Sequence, residues 1–279
     1  MKQRRPQAAK SRFCRSTSLI SVAGLLVLLL GSGTAFGQLK RYSYTVKDQV
    51  PFGRDLFVQG LQLVDGTLYV STGLYGQSRL MTYAFPSMEL QQQRKLADSL
   101  FTEGVTLLDG KLYQLTWRAG KILVHDAQTL ETERTAAIPT QGWGLTSDGE
   151  SLIYSDGSDK LYFLDPESLE RTATLNVQLN GRPVGQLNEL EFIDGEIWAN
   201  VWRTDQLVTI DPATGAVTAV IDLRGLLPMP ERQPSTDVLN GIAHDKETGE
   251  LWVTGKRWPW LYRIELQPWT PTLSSTPGK

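Results

Sequence analysis

Cysteine and histidine are nearly missing from this chain of 279 residues, which carries one Cys and two His. Cys14 lies ahead of an N-terminal apolar run and leaves with that segment on cleavage. Disulfides, thiol nucleophiles and Cys-based zinc sites are thereby excluded from the mature protein. His125 and His244 are too few for a His-rich metal centre or a Ser/His/Asp triad, and each is expected to be a surface strand or turn residue. There is no P-loop, no GxGxxG and no zinc-ligand spacing, so nucleotide-binding and metal-hydrolase readings lack support. Neither a cofactor nor a metal is expected.

Long hydrophobic runs are also scarce. The one that exists, Leu19 to Leu30, is shorter than the ~20 residues a spanning helix needs. Lys2, Arg4, Arg5, Lys10, Arg12 and Arg15 precede it and small residues follow to Gly37, which is the order of a cleaved secretory signal peptide over residues 1–37. The product is expected to be secreted or periplasmic, with no permanent membrane span. Six of the 28 Lys and Arg and none of the 30 Asp and Glu lie in that leader, leaving a formal net charge of −8. That balance argues against a nucleic-acid partner.

What the sequence does have is repetition. A turn-plus-strand phrase recurs as DGTLYV (Asp65 to Val70), DGKLYQ (Asp109 to Gln114), DGESLIY (Asp148 to Tyr154), DGEIWA (Asp194 to Ala199) and TGELWV (Thr248 to Val253). The Gly turns are 44, 39, 46 and 54 residues apart, near the length of one four-stranded propeller blade. Period-2 alternation between Gly, Asp and Pro turns predicts hairpins, and no helical period persists after Gly37. The expectation is an all-β chain forming a five-bladed β-propeller, one domain over residues 38–266. Residues 267–279, rich in Pro, Ser and Thr, are expected to be a disordered tail. The span Leu226 to Asp237, with three prolines, reads as an ordered loop inserted before the last blade. A monomer is expected.

Aligning the repeats places Gln59, Glu103, Trp143, Asn188 and Asn240 at one equivalent position on the strand before each Gly turn. The next strand gives a second row: Gly73, Trp117, Gly157, Trp202 and Lys256. In a propeller, equivalent positions on inner strands converge at one mouth of the central channel. The two rows together bring one carboxylate, one ammonium, three carboxamides and three indoles, which is an unusual structural core. Each tryptophan alone also fits a blade core, for which Trp198 and Trp252 are the better candidates. Glu103 is the only acid in its row, and Phe101, Val105, Leu107 and Trp117 surround it in sequence. Burial there raises a carboxyl pKa, as a general acid and base near neutral pH requires. The competing assignment is a strand-end carboxylate paired with Arg118. Glu189 and Glu191 alternate on one strand and serve equally well as partners of Arg203 or of turn amides. Asp156 and Asp159 suit a turn that caps its own backbone.

The phrases STGLYGQS, FTEGVTLLDGKLYQLTW, GWGLTSDG, YSDGS, LNELEFIDGEIWANVW, DVLNGIAHD and VTGKRWP, in order from Phe57 to Leu266, resemble the plant-type glutaminyl cyclotransferases, which also occur in bacteria. The resemblance implies a five-bladed propeller that converts N-terminal glutamine of peptides and proteins to pyroglutamate and releases ammonia. It implies Glu103 as the catalytic residue, with Gln59, Trp117, Trp143, Asn188, Trp202 and Lys256 in the substrate pocket. The residues alone leave two rivals open: a non-catalytic secreted propeller that binds a ligand or protein at its aromatic channel mouth, and a propeller lactonase or hydrolase, which would gather more carboxylates and a metal.

Overall fold

The computed structural model describes residues 39–269. The leader of residues 1–37 lies outside them, as do residues 270–279 of the tail. The chain is all-β, as the hairpin pattern predicts. Strand β1 (Lys40–Pro51) comes first, followed by β2–β5 (Val58–Val64, Thr67–Thr72, Arg79–Ala84, Glu89–Lys95) and β6–β9 (Thr102–Leu108, Lys111–Thr116, Lys121–Asp126, Thr132–Ala137). Strands β10–β13 follow (Leu145–Ser147, Leu152–Ser155, Lys160–Leu164, Arg171–Asn176), then a small hairpin β14–β15 (Gln178–Leu179, Arg182–Pro183). The chain continues through β16–β19 (Leu187–Ile193, Glu196–Val201, Gln206–Ile210, Val217–Asp222), a 3₁₀ turn at Met229–Glu231, and β20–β22 (Leu239–His244, Leu251–Gly255, Trp260–Pro268). Among the described residues, no helix is long and apolar enough to cross a membrane.

Strands β2–β5, β6–β9 and β10–β13 form three four-stranded antiparallel meanders. The remaining eight long strands make one sheet in the order β16-β17-β18-β19-β1-β22-β21-β20. It contains two further runs of four, joined where β1 meets β19 in a short parallel contact at Lys40–Tyr42 and Ala219–Ile221. The first strands of successive groups, β2, β6, β10, β16 and β20, each touch the next, and β20 touches β2. The closeness of those approaches is set by glycine. A Cβ on Gly104 would lie 2.4 Å from the Leu145 nitrogen, and one on Gly144 would lie 1.9 Å from the Asn188 carbonyl oxygen.

Local chemistry explains the turns. Asp65-Gly66, Asp109-Gly110 and Asp194-Gly195 hold both residues at positive φ, as two-residue hairpins with the strands' own twist require. On other hairpins Asp126, Asp165, Asp211 and Asp245 each accept the amides two and three residues ahead with Oδ1. The last strand of each of the first three meanders, such as β5, is largely exposed, whereas first strands such as β2 and β6 are almost wholly buried.

Two expectations change. Strand β22 runs through Pro268, with Gln267 opposite Ser43 and Pro268 opposite Tyr42, so the tail boundary at 267 falls inside a strand. β1 supplies the ladder that holds these residues despite their composition. His125 is fully buried rather than on the surface. The segment before Phe57 carries no repeat phrase because β1 is the outer neighbour of the last strand, paired with β22 from Tyr42 to Pro51, and opens no group of its own. The span Leu226 to Asp237 is ordered, with Leu226 and Leu227 buried in the core.

Candidate active site

The first row of aligned residues falls on a repeated irregularity. In β2, β6, β16 and β20 the pairing register slips between Val58 and Gly60, Thr102 and Val105, Leu187 and Leu190, and Leu239 and Ile242. Gln59, Glu103, Asn188 and Asn240 sit inside these slips. A bulge re-aims a side chain that regular pleating would bury in the sheet. Trp143 lies just before β10, donating its amide to the Ser155 carbonyl (2.9 Å) while its own carbonyl accepts from Gly104 N (2.7 Å). The second row is fixed by one recurring bond. The amides of Gly73, Trp117, Trp202 and Lys256 donate to the carbonyls of Phe57, Phe101, Gln186 and Val238 at 2.9, 2.9, 2.8 and 2.9 Å.

These constraints bring Gln59, Glu103, Trp117, Trp143, Asn188, Trp202 and Lys256 onto the wall of one cavity of about 280 Å³. Phe57, Phe101, Arg203, Asp237 and Val238 complete the lining. Asn240 shares the row but not the cavity, since its Nδ2 donates to the Val58 carbonyl (3.0 Å). Trp143 and Trp202 meet edge to face at 5.3 Å, and Phe101 tilts onto Trp117 at 5.3 Å. Arg118 and Arg203 lie over the faces of Trp117 and Trp202 at 4.0 and 4.2 Å. Arg118 therefore stacks on an indole and forms no ion pair with Glu103. Trp252 is core, as expected, and Trp198 packs half-buried against it.

Glu103 is 4% exposed. Burial pushes its carboxyl well above the usual carboxylate range, and the Lys256 ammonium partly offsets that rise. Lys256, 5% exposed, is lowered by burial and drawn back up by Glu103 and Asp237. Two further polar groups on the wall are buried with no partner: the Gln59 Oε1 acceptor and the Trp143 Nε1 donor. The cavity wall therefore offers one free acceptor and one free donor to whatever polar group enters it.

The backbone beneath Glu103 is held by a directed chain of side chains. Ser71 Oγ donates to the Glu103 carbonyl, and Gln114 Nε2 donates to Ser71 Oγ (2.8 Å). Gln114 Oε1 must then accept from His125 Nε2 (3.2 Å), leaving His125 Nδ1 to accept from Thr132 Oγ1 (3.0 Å). That order needs a neutral imidazole, and burial, with Arg94 nearby, pushes His125 down to about 4. His125 is a structural member of this chain.

Glu189 and Glu191 are fully desolvated but do not line the cavity. Glu189 accepts the Leu61 and Ile242 amides (3.2 and 2.9 Å), tying β16 to β2 and β20 across the ring. Thr146 donates to Glu191 (3.4 Å), whose carboxyl burial pushes up to about 8. Of the two alternatives left for this pair, Arg203 holds for neither, and the amides that Glu189 accepts lie in strands β2 and β20 rather than in turns. Asp156 caps its turn by accepting from Ser158 N (3.0 Å) and Tyr162 Oη (3.0 Å).

Phe57, Phe101, Arg203, Asp237 and Val238 were not singled out from the sequence. For Phe101 a signal existed in the second row: a Cβ on Gly73 would stand 2.3 Å from its ring, just as one on Gly157 would stand 2.7 Å from the Trp143 ring. Glycines in a row of large residues mark where a neighbour's aromatic ring passes over.

A buried acid of raised basicity, desolvated among indoles and beside a buried ammonium, is a group able to take up and return a proton. Known proteins give the family. The family model for glutamine cyclotransferases matches residues 19–266, and the chain belongs to that family. It is 36% identical over 279 residues to the glutaminyl-peptide cyclotransferase of Arabidopsis thaliana, spanning 95% of this chain and 87% of that one. The crystal structure of Myxococcus xanthus glutaminyl cyclase matches with a TM-score of 0.77 and 33% identity, over 84% of this chain and 100% of the other.

Proposed function

We propose that the cavity binds the N-terminal glutamine of peptides and proteins and converts it to pyroglutamate with release of ammonia, an aminoacyl transfer, with Glu103 as the group that moves the proton. The observation that carries the assignment of Glu103 is that it is the buried carboxylate of an aromatic wall, beside the buried Lys256, whereas the wall's other charged groups, Arg203 and Asp237, are exposed. The reaction joins the α-amine nitrogen to the side-chain amide carbon and breaks the bond from that carbon to its amide nitrogen. An α-amine titrates near ~8, so a neutral amine is readily available, whereas an unprotonated amide nitrogen does not leave. Glu103 takes the proton lost by the attacking amine and returns it to the departing nitrogen. A shuttle of this kind is worth roughly 10²–10⁴ in rate.

Trp117, Trp143 and Trp202 hold the flexible glutamine side chain folded toward its own amine, which turns an unfavourable rotamer into the bound one. Gln59 Oε1 and Trp143 Nε1 provide an acceptor and a donor to the substrate's polar ends. Asn188 and Lys256 are placed to stabilise charge on the carbonyl oxygen as the carbon becomes tetrahedral.

The frame follows the same reading. The five runs of four strands are five blades of a propeller whose last blade takes β1 as its outer strand, and the cavity is one mouth of the central channel. The leader directs a monomer to the periplasm or medium, where it acts on exported chains. The test is a coupled ammonia assay on a Gln-initiated dipeptide, with and without EDTA. Release that survives EDTA supports a proton shuttle without a metal. No release from any Gln-initiated peptide would leave a binding propeller as the better account.

A further inference from the structure

A peptide whose first residue is enclosed must leave the cavity somewhere. We infer that the groove between Arg203 and Arg232 is a subsite for the main chain of the residues that follow the N-terminal glutamine, an inference that rests on the proposed function. The groove is a second cavity of about 710 Å³ that shares Arg203, Asp237 and Val238 with the first, so the two are adjacent. One wall is the turn after β17. The other is the segment between β19 and β20, sixteen residues from Leu223 to Val238.

This wall is fixed before any ligand arrives. Leu226 and Leu227 anchor it in the core, Trp258 Nε1 donates to the Asp237 carbonyl (3.0 Å), and Arg54 Nη2 donates to the Glu231 carbonyl (2.9 Å). The two walls together carry charges of both signs. Among the described residues Arg203, Arg232, Asp205 and Asp237 enter no ion pair, although Arg203 lies over Trp202 (4.2 Å) and Asp237 Oδ1 accepts the Val238 amide (2.7 Å), whereas Asp222 and Arg224, just beyond, are locked together at 2.5 Å. Donors and acceptors side by side match the alternating carbonyls and amides of an extended chain rather than a side chain of one charge. The subsite therefore reads length and extension, with little preference among sequences.

Two C-terminally amidated substrates test this, Gln-Ala and Gln followed by four alanines. Binding is measured by calorimetry on the Glu103→Gln protein and turnover on the wild type. The longer peptide is expected to bind several-fold more tightly. Arg232→Ala and Asp205→Ala should each erase part of that gain, on the order of three- to tenfold for one exposed hydrogen bond to a charged group, and leave the dipeptide unchanged. Equal affinity for the two peptides, or variants that weaken both alike, would overturn the subsite. Absence of ammonia from either peptide, with the length effect on binding intact, would overturn the cyclase reading and leave the subsite standing.

Discussion

Glu103 and Lys256 are both buried on the wall of one cavity, and each is the principal charged partner of the other. Neither is easily charged alone. Burial raises the carboxyl and lowers the ammonium, and the attraction between them opposes both shifts. Replacing Lys256 by Met removes the only group that lowers Glu103. The carboxyl then stays protonated to higher pH, and the acid limb of kcat/KM should move upward, most visibly on a substrate whose own amine titration is unchanged. An unmoved limb would separate Lys256 from the titration of Glu103.

Ser71 places Glu103 without touching the cavity. Its hydroxyl is the side-chain donor to the Glu103 carbonyl, and the Gln114–His125–Thr132 chain orients it. Ser71→Ala leaves a buried carbonyl unpaired, which costs about 1–3 kcal/mol of stability. The same loss loosens the bulge, so kcat should fall on the order of tenfold with a smaller change in KM. Loss of stability with kcat intact would show that the bond holds the fold and not the carboxyl.

Glu191 gives stability a dependence on pH across the mildly acid to neutral range. Its folded pKa is raised to about 8, chiefly by burial, whereas an unfolded Glu titrates near ~4.3. A group raised in the folded state contributes fully below its unfolded value and loses that contribution as pH rises through the folded one. Unfolding free energy should therefore decline between about pH 5 and pH 9. Glu191→Gln, which cannot ionise, should reduce that decline by at least about 2 kcal/mol in denaturant titrations at the two pH values. An unaltered decline would place the titration elsewhere.

The site was more legible in the sequence than the frame around it. Repeats in phase identify positions that converge in space, and the asymmetry of a row, one acid among neutral residues, singles out Glu103 for test. The seven residues that the family resemblance implies, all members of the two rows, line the cavity. What the rows do not encode is the path of a side chain beyond its Cα. Asn240 occupies the right position and turns to the Val58 carbonyl. Glu189, one residue past the aligned position, sits where the four other groups have a glycine and spends its carboxylate on the amides of Leu61 and Ile242. Val238 shares the position of Phe57 and Phe101, two residues before the first row, and Arg203 that of Arg118 and Arg257, just after the second, but residue type alone marks neither these nor Asp237 as cavity lining. The partnership of β1 with β22 was hidden for a similar reason. An outer strand is exposed along most of its length, alternates apolar residues only briefly, at Tyr42, Tyr44 and Val46, and is specified by backbone pairing with the far end of the chain.

The most direct measurement is ammonia release from a Gln-initiated dipeptide by the wild type and by Glu103→Gln. The substitution keeps the shape of the side chain and removes its proton chemistry, so the variant should melt like the wild type or slightly higher, because an ionisable group has left a buried position. Turnover should fall by roughly 10²–10⁴, the worth of a positioned acid and base. A folded Glu103→Gln protein that releases ammonia at the wild-type rate would contradict the account.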